Sequence, residues 1–305
     1  MRVIIPASAP VLITSTIPEP DTGEAVYASG TSYALGARVI STTAHRIYES
    51  LQAANQTHAL PVPPETATDW WMDVGVTNQY ACFDLARNTQ SVGNSPIEIT
   101  FTPGERVNAI AVMGMEADSL RIQMHTSTGL KYDATFDLKL RVVRDGYEYA
   151  FKPFDRQPSV VKFDLPPYSI NDITLTIART DGQPVKVGSI LAGTYIYLGA
   201  TEYNATNDAL NFSTIERDIY GTATLIPRRT LPKTNQTCWI DKMYVNDLLD
   251  ARARLNAVPA AWSGLDDKSD SGYFEALLIL GIYKQFSIDL SEYNRARLTL
   301  ELEEI

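Results

Sequence analysis

Alternation with a period of two, carried in short runs and cut by turn residues, most limits what this chain can become. Ile97, Ile99 and Phe101 alternate with polar residues, as do Leu120, Ile122 and Met124, then Phe136, Leu138 and Leu140, then Ile173, Leu175 and Ile177. Near the end, Leu298, Leu300 and Leu302 alternate with Thr299, Glu301 and Glu303. Successive side chains of a strand point to opposite faces, so each run predicts a strand buried on one side. Pro103-Gly104, Asp145-Gly146 and Asp181-Gly182 supply the turn chemistry between them. Such a pattern excludes helical bundles and predicts a mainly β fold.

Three blocks follow along the chain. Residues 1–78 hold a proline-broken arm (Ile4 to Pro20) and a small β-module. Its apolar positions are few (Val26, Tyr33, Val39, Ile40, Tyr48, Leu51 and Trp70), so it must rely on aromatics for a core. The arm reads equally as a segment lying across a neighbouring subunit or as a disordered end. Residues 79–200 carry the clearest alternation and one continuous apolar run, Ala109–Met113. They predict about eight strands in an antiparallel sandwich of jelly-roll or galactose-binding-like type. Residues 201–305 open on a polar, linker-like stretch, ATEYNATNDALNFS, and continue as an α+β domain. Its helix is expected to start at an Asn246 cap, to align Leu248, Leu249, Arg252 and Leu255, and to stop before Pro259.

Charge and cysteine content remove several functions. The 305 residues carry 26 Lys and Arg against 36 Asp and Glu, a net charge of −10, the wrong sign for tracking phosphates. Nucleic acid is therefore not an expected partner. No apolar run approaches the ~20 residues that span a bilayer. Two cysteines, Cys82 and Cys238, each beside an aromatic residue, read as buried free thiols. The stretch MRVIIPASAPVLITS is a poor secretory signal because Pro6 and Pro10 interrupt it, so the sequons at Asn55, Asn204, Asn211 and Asn235 read as chance matches made in a reducing cytoplasm.

The sequence carries no catalytic or metal-binding signature. His45, His58 and His125 stand far apart, so no short-spaced metal pair exists. No nucleophile elbow, phosphate loop or dinucleotide turn is present. Between Leu265 and Glu275 the acidic stretch fails as a calcium loop, because Leu278 falls where the bidentate glutamate must be. No catalytic residue, metal or cofactor is expected. Arg228, Arg229 and Lys233 read as charges guarding an exposed strand edge rather than as a polyanion contact.

The first block reads Tyr27, Tyr33-x-x-Gly36-x-x-Val39, Tyr48-Glu49-Ser50, Trp70 and Val74-Gly75. This order resembles the small chitin-binding-type carbohydrate module of bacterial chitinases and phage virion proteins. The resemblance implies a glycan platform of Tyr27, Tyr33, Tyr48, Trp70 and Trp71, with Trp70 plugging the module and Trp71 facing elsewhere. Binding versions continue with aromatics after Tyr48, where this chain has Leu51, Gln52, Ala53 and Ala54.

Further on come Val187-Gly188, Gly193, Leu198-Gly199, Asn211-Phe212-Ser213, Asp218-x-Tyr220-Gly221, Arg228-Arg229 and Gly281 to Ile288. In this order they are similar to a family of tailed-bacteriophage virion proteins of the tail or baseplate, which brings no catalytic residues. The resemblance implies a structural subunit of the virion, a homo-oligomer in a symmetric assembly with other tail subunits as partners. A host-glycan receptor-binding protein is the alternative, and a glycan hydrolase with an accessory module a third. Residues 225–305 are expected to hold the subunit interface, through Tyr273, Phe274, Tyr283 and Phe286, with the aromatic module at the periphery.

Overall fold

A computed structural model describes residues 1–8, 10–21, 23, 25–56, 58–60, 67–169, 171–266 and 272–305. Numbered along the chain, the strands are β1 (Arg2–Pro6), β2 (Val11–Ser15), β3 (Ala25–Val26), β4 (Arg38–Ser41), β5 (Arg46–Ser50), β6 (Trp71–Val76), β7 (Ser91–Gly93), β8 (Ile97–Thr102), β9 (Ala109–Met113), β10 (Ser119–Thr126) and β11 (Gly129–Asp137). Next come β12 (Lys139–Leu140), helix α1 (Gly146–Phe151), β13 (Asp155–Arg156), β14 (Val160–Lys162), β15 (Asp172–Ala178), β16 (Val185–Val187), β17 (Ser189–Tyr197) and β18 (Ala200–Thr201). The C-terminal part holds β19 (Thr206–Asn211), β20 (Thr214–Arg217), β21 (Ala223–Ile226), β22 (Thr230–Asp241), helix α2 (Val245–Arg254), β23 (Ala260–Ser263), β24 (Leu278–Asp289) and β25 (Arg295–Glu304). The fold is mainly β and almost wholly antiparallel, as the alternation predicts.

The sandwich packs a five-stranded sheet, ordered β11-β10-β15-β8-β2, against β14, β9 and the first half of β17. Ile97, Ile99 and Phe101 of β8, Leu120, Ile122 and Met124 of β10, and Ile173, Leu175 and Ile177 of β15 all point into this core. The uninterrupted run of β9 has a plain cause. Ile110 and Val112 face the sandwich core, while Ala109, Ala111 and Met113 face a second core with Ile4, Phe163, Leu191 and Phe274. A strand buried on both faces loses its alternation.

Beyond the sandwich the same sheet closes on itself. Its order runs β17-β1-β23-β24-β25-β22-β18, and β18 follows β17 in the chain with only Leu198 and Gly199 between. The Leu198 amide donates to Met1 O, and Thr201 pairs with Cys238 of β22. The strands therefore form a six-stranded barrel, with β17 and β18 acting as one broken stave. Val3, Leu198, Cys238, Trp262, Ile279, Leu298, Leu300 and Leu302 fill it, and Leu248, Ala251 and Leu255 of α2 pack onto the same core. Inward positions of so small a barrel are filled by side chains rather than left as a channel.

Several expectations are corrected here. The N-terminal segment is neither a free arm nor a disordered end. β1 is a central strand between β17 and β23, and β2 edges the five-stranded sheet beside β8. The boundaries at 78 and 200 do not separate independent units either. Residues 201–305 supply four of the barrel staves, and β1 and β17 must come from upstream to close it. Asn246 is not the helix cap; Tyr244 holds that position without a side-chain hydrogen bond, and Leu249 points outward. Asp145-Gly146 starts a helix rather than turning a hairpin, since Asp145 Oδ1 accepts from the Glu148 amide. Asp267, Ser269 and Ser271 of the calcium comparison lie outside the described residues.

Candidate interaction surfaces

The small module is a four-stranded sheet, β3-β4-β5-β6, over a core of Val39, Tyr48, Leu60 and Trp71. Trp71, not Trp70, plugs it. Its indole Nε1 donates to His58 O at 3.0 Å, and the rings of Tyr27 and Tyr33 meet it edge-on at 6.0 and 5.4 Å. Trp70 lies half-buried at the surface, stacked on His58 at 3.6 Å. The register explains the reversal. Trp71 pairs with Ser50, which puts it on the same inward face as Tyr48 two residues away. Of the expected platform, Tyr48 and Trp71 are buried, and Tyr27 and Tyr33 spend their faces on each other and on Trp71. A sugar needs an open aromatic face, and these residues do not present one jointly.

The module is tied to the sandwich through Glu19. Its carboxylate accepts from Thr77 Oγ1 at 2.6 Å and meets His45 Nδ1 at 2.7 Å, while the His45 ring stacks on Tyr80. Among the described residues no three His, Cys, Asp or Glu side chains gather to hold a metal ion. Both cysteines are buried free thiols; burial pushes Cys82 up to about 12 and Cys238 up to about 11, so neither is a thiolate nucleophile at neutral pH.

The residues proposed for a C-terminal interface are mostly spent inside the chain. Phe274 is buried against Ile4 and Phe163, and Phe286 is buried in the barrel core. Tyr283 packs on that core and its hydroxyl donates to Arg252 O at 3.0 Å. Only Tyr273 stays exposed. The aromatic surplus that sequence suggests is absorbed by the shared cores, because the barrel is larger than the block from which it was inferred.

Apolar surface is instead concentrated at two places the alternation pattern does not mark. The first is a projecting arm. β19 pairs with the start of β22, and the chain then continues as the β20–β21 hairpin, turned at Asp218, whose Oδ1 accepts from the Tyr220 and Thr222 amides. No residue from 203 to 233 is buried. Ile219 is 91% and Tyr220 87% exposed at the tip, with Phe212, Ile215 and Leu225 exposed along the arm. Its root is fixed: Arg229 pairs with Glu304, Lys233 with Glu301, and Asn207 Nδ2 donates to Ala276 O at 2.6 Å. Arg229 and Lys233 are thus paired to β25 rather than guarding an open edge.

The second is the loop between β12 and β13. Its short helix α1 buries no residue; Tyr147 is 74% and Phe151 70% exposed, and Val142, Tyr149 and Phe154 are exposed beside them. The Arg141 guanidinium lies 4.1 Å from the Tyr149 ring and 5.2 Å from that of Phe154. The loop's base is held by the β12–β13 pair and by Asp118, which accepts from Arg156 Nε at 2.8 Å and from the Thr180 amide and hydroxyl. Burial pushes the Asp118 carboxyl up, but the Thr180 and Arg156 hydrogen bonds outweigh it and hold the group well below the usual carboxylate range.

No protein-family model matches the chain, and no curated protein matches it.

Proposed function

We propose that the chain is a structural subunit of a bacteriophage tail or baseplate, acting through protein–protein interfaces in a symmetric assembly. The arm of residues 203–230 carries this reading. A two-stranded ribbon is marginal in water on its own, and this one exposes Ile219, Tyr220, Ile215 and Leu225, with both edges of β20–β21 unpaired among the described residues. Apolar surface and open edges of this kind call for a partner. Rigid β architecture and inert thiols suit a part that assembles rather than one that turns over a substrate. The setting in a phage tail rests on the ordered motifs from Val187-Gly188 to Ile288. Mass spectrometry of purified particles of the phage encoding the chain tests the reading; the subunit is expected at a fixed copy number, and its absence from particles refutes the assignment.

A further inference from the structure

Cys238 and Ile240 of β22 fill the barrel, so their neighbours Trp239 and Asp241 point outward. Beside them the stave of β17 and β18 is broken. Gly199 takes a φ of +120° and lies hard against the Trp239 carbonyl, where an added Cβ would collide. Two adjoining hollows of about 220 and 430 Å³ open on this outer wall. Tyr197, Tyr244 and Asp241 line the first, Tyr293 lines the second, and Trp239 and Arg295 line both. Together they fall within the ~300–1,000 Å³ of small-ligand sites. The aromatic rings are open. Tyr197 is 48%, Tyr244 45% and Tyr293 91% exposed, and among the described residues none of the four rings stacks on another aromatic. Trp239 is held in place, because its indole Nε1 donates to Glu202 and the Arg297 guanidinium sits 5.7 Å from its ring. The polar groups are unspent. Asp241 and Arg295 lie opposite each other in register, yet among the described residues neither belongs to an ion pair, and the Asp241 carboxylate caps no amide. The three tyrosine hydroxyls likewise make no hydrogen bond among the described residues.

We infer that this cleft binds a neutral oligosaccharide, with sugar rings in the two hollows and Trp239 between them. A sugar packs its C–H face on an aromatic ring, while its hydroxyls both donate and accept. It can therefore take a hydrogen bond from Arg295 and give one to Asp241. A wholly apolar ligand would bury both charges unpaired. An anionic ligand would meet two carboxylates, Asp241 and Glu292, against the single cation Arg295. A protein partner fits less well, because the cores of such interfaces are depleted in charged residues, and here Asp241 and Arg295 line the cleft among the aromatics. The small module offers no such platform, since Tyr27, Tyr33 and Trp71 spend their rings on one another. The cleft stands whether or not the chain is a tail subunit.

An array of neutral and acidic oligosaccharides probed with the purified full chain tests it, followed by isothermal titration with the strongest binder. The variants are Tyr244→Ala/Tyr293→Ala and Asp241→Ala in the cleft, with Trp70→Ala in the small module as the control. The three cleft side chains are exposed, so both cleft variants are expected to keep the parent circular dichroism and melting temperature. The parent is expected to bind neutral oligosaccharides longer than a single sugar in preference to acidic ones. Each cleft variant is expected to weaken that binding by roughly tenfold or more, and Trp70→Ala to leave it unchanged. A parent that binds no neutral oligosaccharide at millimolar concentration overturns the inference, while leaving the particle test of the function reading untouched. Binding that survives both cleft variants, or that is lost in Trp70→Ala, overturns it by placing the sugar elsewhere. Binding confined to acidic sugars overturns the charge assignment and the inference with it. Self-association on sedimentation that is lost in Tyr244→Ala/Tyr293→Ala, with no sugar bound by the parent, would make the cleft a protein interface and equally overturn it.

Discussion

Gly193→Ala should loosen the barrel and the sandwich together. Gly193 is the residue of β17 paired on both sides, with Pro6 of β1 and with Ala109 of β9. It marks the point where the strand leaves the sandwich and becomes a barrel stave. A Cβ there would lie 2.8 Å from the Ile5 carbonyl carbon and 3.2 Å from Pro6 Cα, with the Ile5 oxygen closer still. Carbon atoms settle at about 3.5–4.0 Å, so β1 would have to retreat by on the order of 1 Å. All three obstructing atoms are backbone, so no side chain can swing away. Overpacking of this kind costs about 1–3 kcal/mol. Retreat of β1 also weakens the bond at the junction from the Ala7 amide to Ala192 O at 2.9 Å, at about 1 kcal/mol. The gain of ~0.4–1 kcal/mol from stiffening the unfolded chain offsets little of this.

A net loss of about 2 kcal/mol should therefore appear as a melting temperature roughly 4–8 °C lower, read by circular dichroism. Gly146→Ala is the matched control. Nothing lies within 4 Å of its added Cβ, and its melting point should stay at the parent value. A Gly193→Ala protein that melts with the parent would refute the account of a strand shared under close backbone contact.

The remaining predictions probe other layers. Asp118→Asn should cost about 2–3 kcal/mol, discounted from a fully buried pair because Arg156 is partly exposed. Because the folded Asp118 carboxyl lies below its ordinary value of ~3.9, its stabilisation is complete above that pH and is lost as pH falls through it towards the folded value. The variant should thus show a shallower acid limb in pH-dependent denaturation, and an unchanged limb would count against the network. Trp71→Ala should cost about 3–5 kcal/mol within the small module, exposing residues 25–76 to proteolysis, whereas Trp70→Ala should leave the digestion pattern intact. A thiol reagent at pH 8 should modify neither Cys82 nor Cys238 in the folded chain and both after denaturation.

Much of the fold was legible because alternation reports one-sided burial directly. The strands of the sandwich core and the last barrel strand fall where Ile97–Phe101, Leu120–Met124, Ile173–Ile177 and Leu298–Leu302 place them. Closure was not legible. It depends on β1 finding β17 and β23 across roughly the whole chain, and a run as short as RVIIP, ending on a proline, carries no signal of its partners. The polar look of ATEYNATNDALNFS misled for a related reason: β19 is exposed throughout, so it has no buried face for a periodicity to reveal. Tryptophan placement turned on one residue of register at β6, where a slip exchanges the inward and outward faces. The exposed aromatics of YEYAF lie in a segment with a helix cap and no apolar stripe, so composition hints at them while pattern does not.

The shared strands also decide which parts of the molecule can be removed. Deleting residues 1–78 was the natural way to ask whether the aromatic module is dispensable, but it would also take β1 out of the barrel and β2 off the sandwich. A barrel stripped of a central stave exposes Trp262 and Ile279 to water, so such a protein should fail to fold and would say nothing about the module. Excising residues 25–76 and bridging the ends with a flexible Gly-Ser linker asks the intended question. Among the described residues the excised sheet β3-β4-β5-β6 pairs with no strand outside itself, and its core of Val39, Tyr48, Leu60 and Trp71 is separate from the other three. What is lost at the junction is the contact of Glu19 with His45, the Thr77 amide bond to His45 O at 3.0 Å and the stacking of His45 on Tyr80. Contacts of this kind are worth about 1 kcal/mol apiece, far less than a shared core. The shortened chain should therefore fold, keep both thiols protected and melt within a few degrees of the parent. Loss of folding on excision would show that the module, rather than β1 alone, is built into the scaffold.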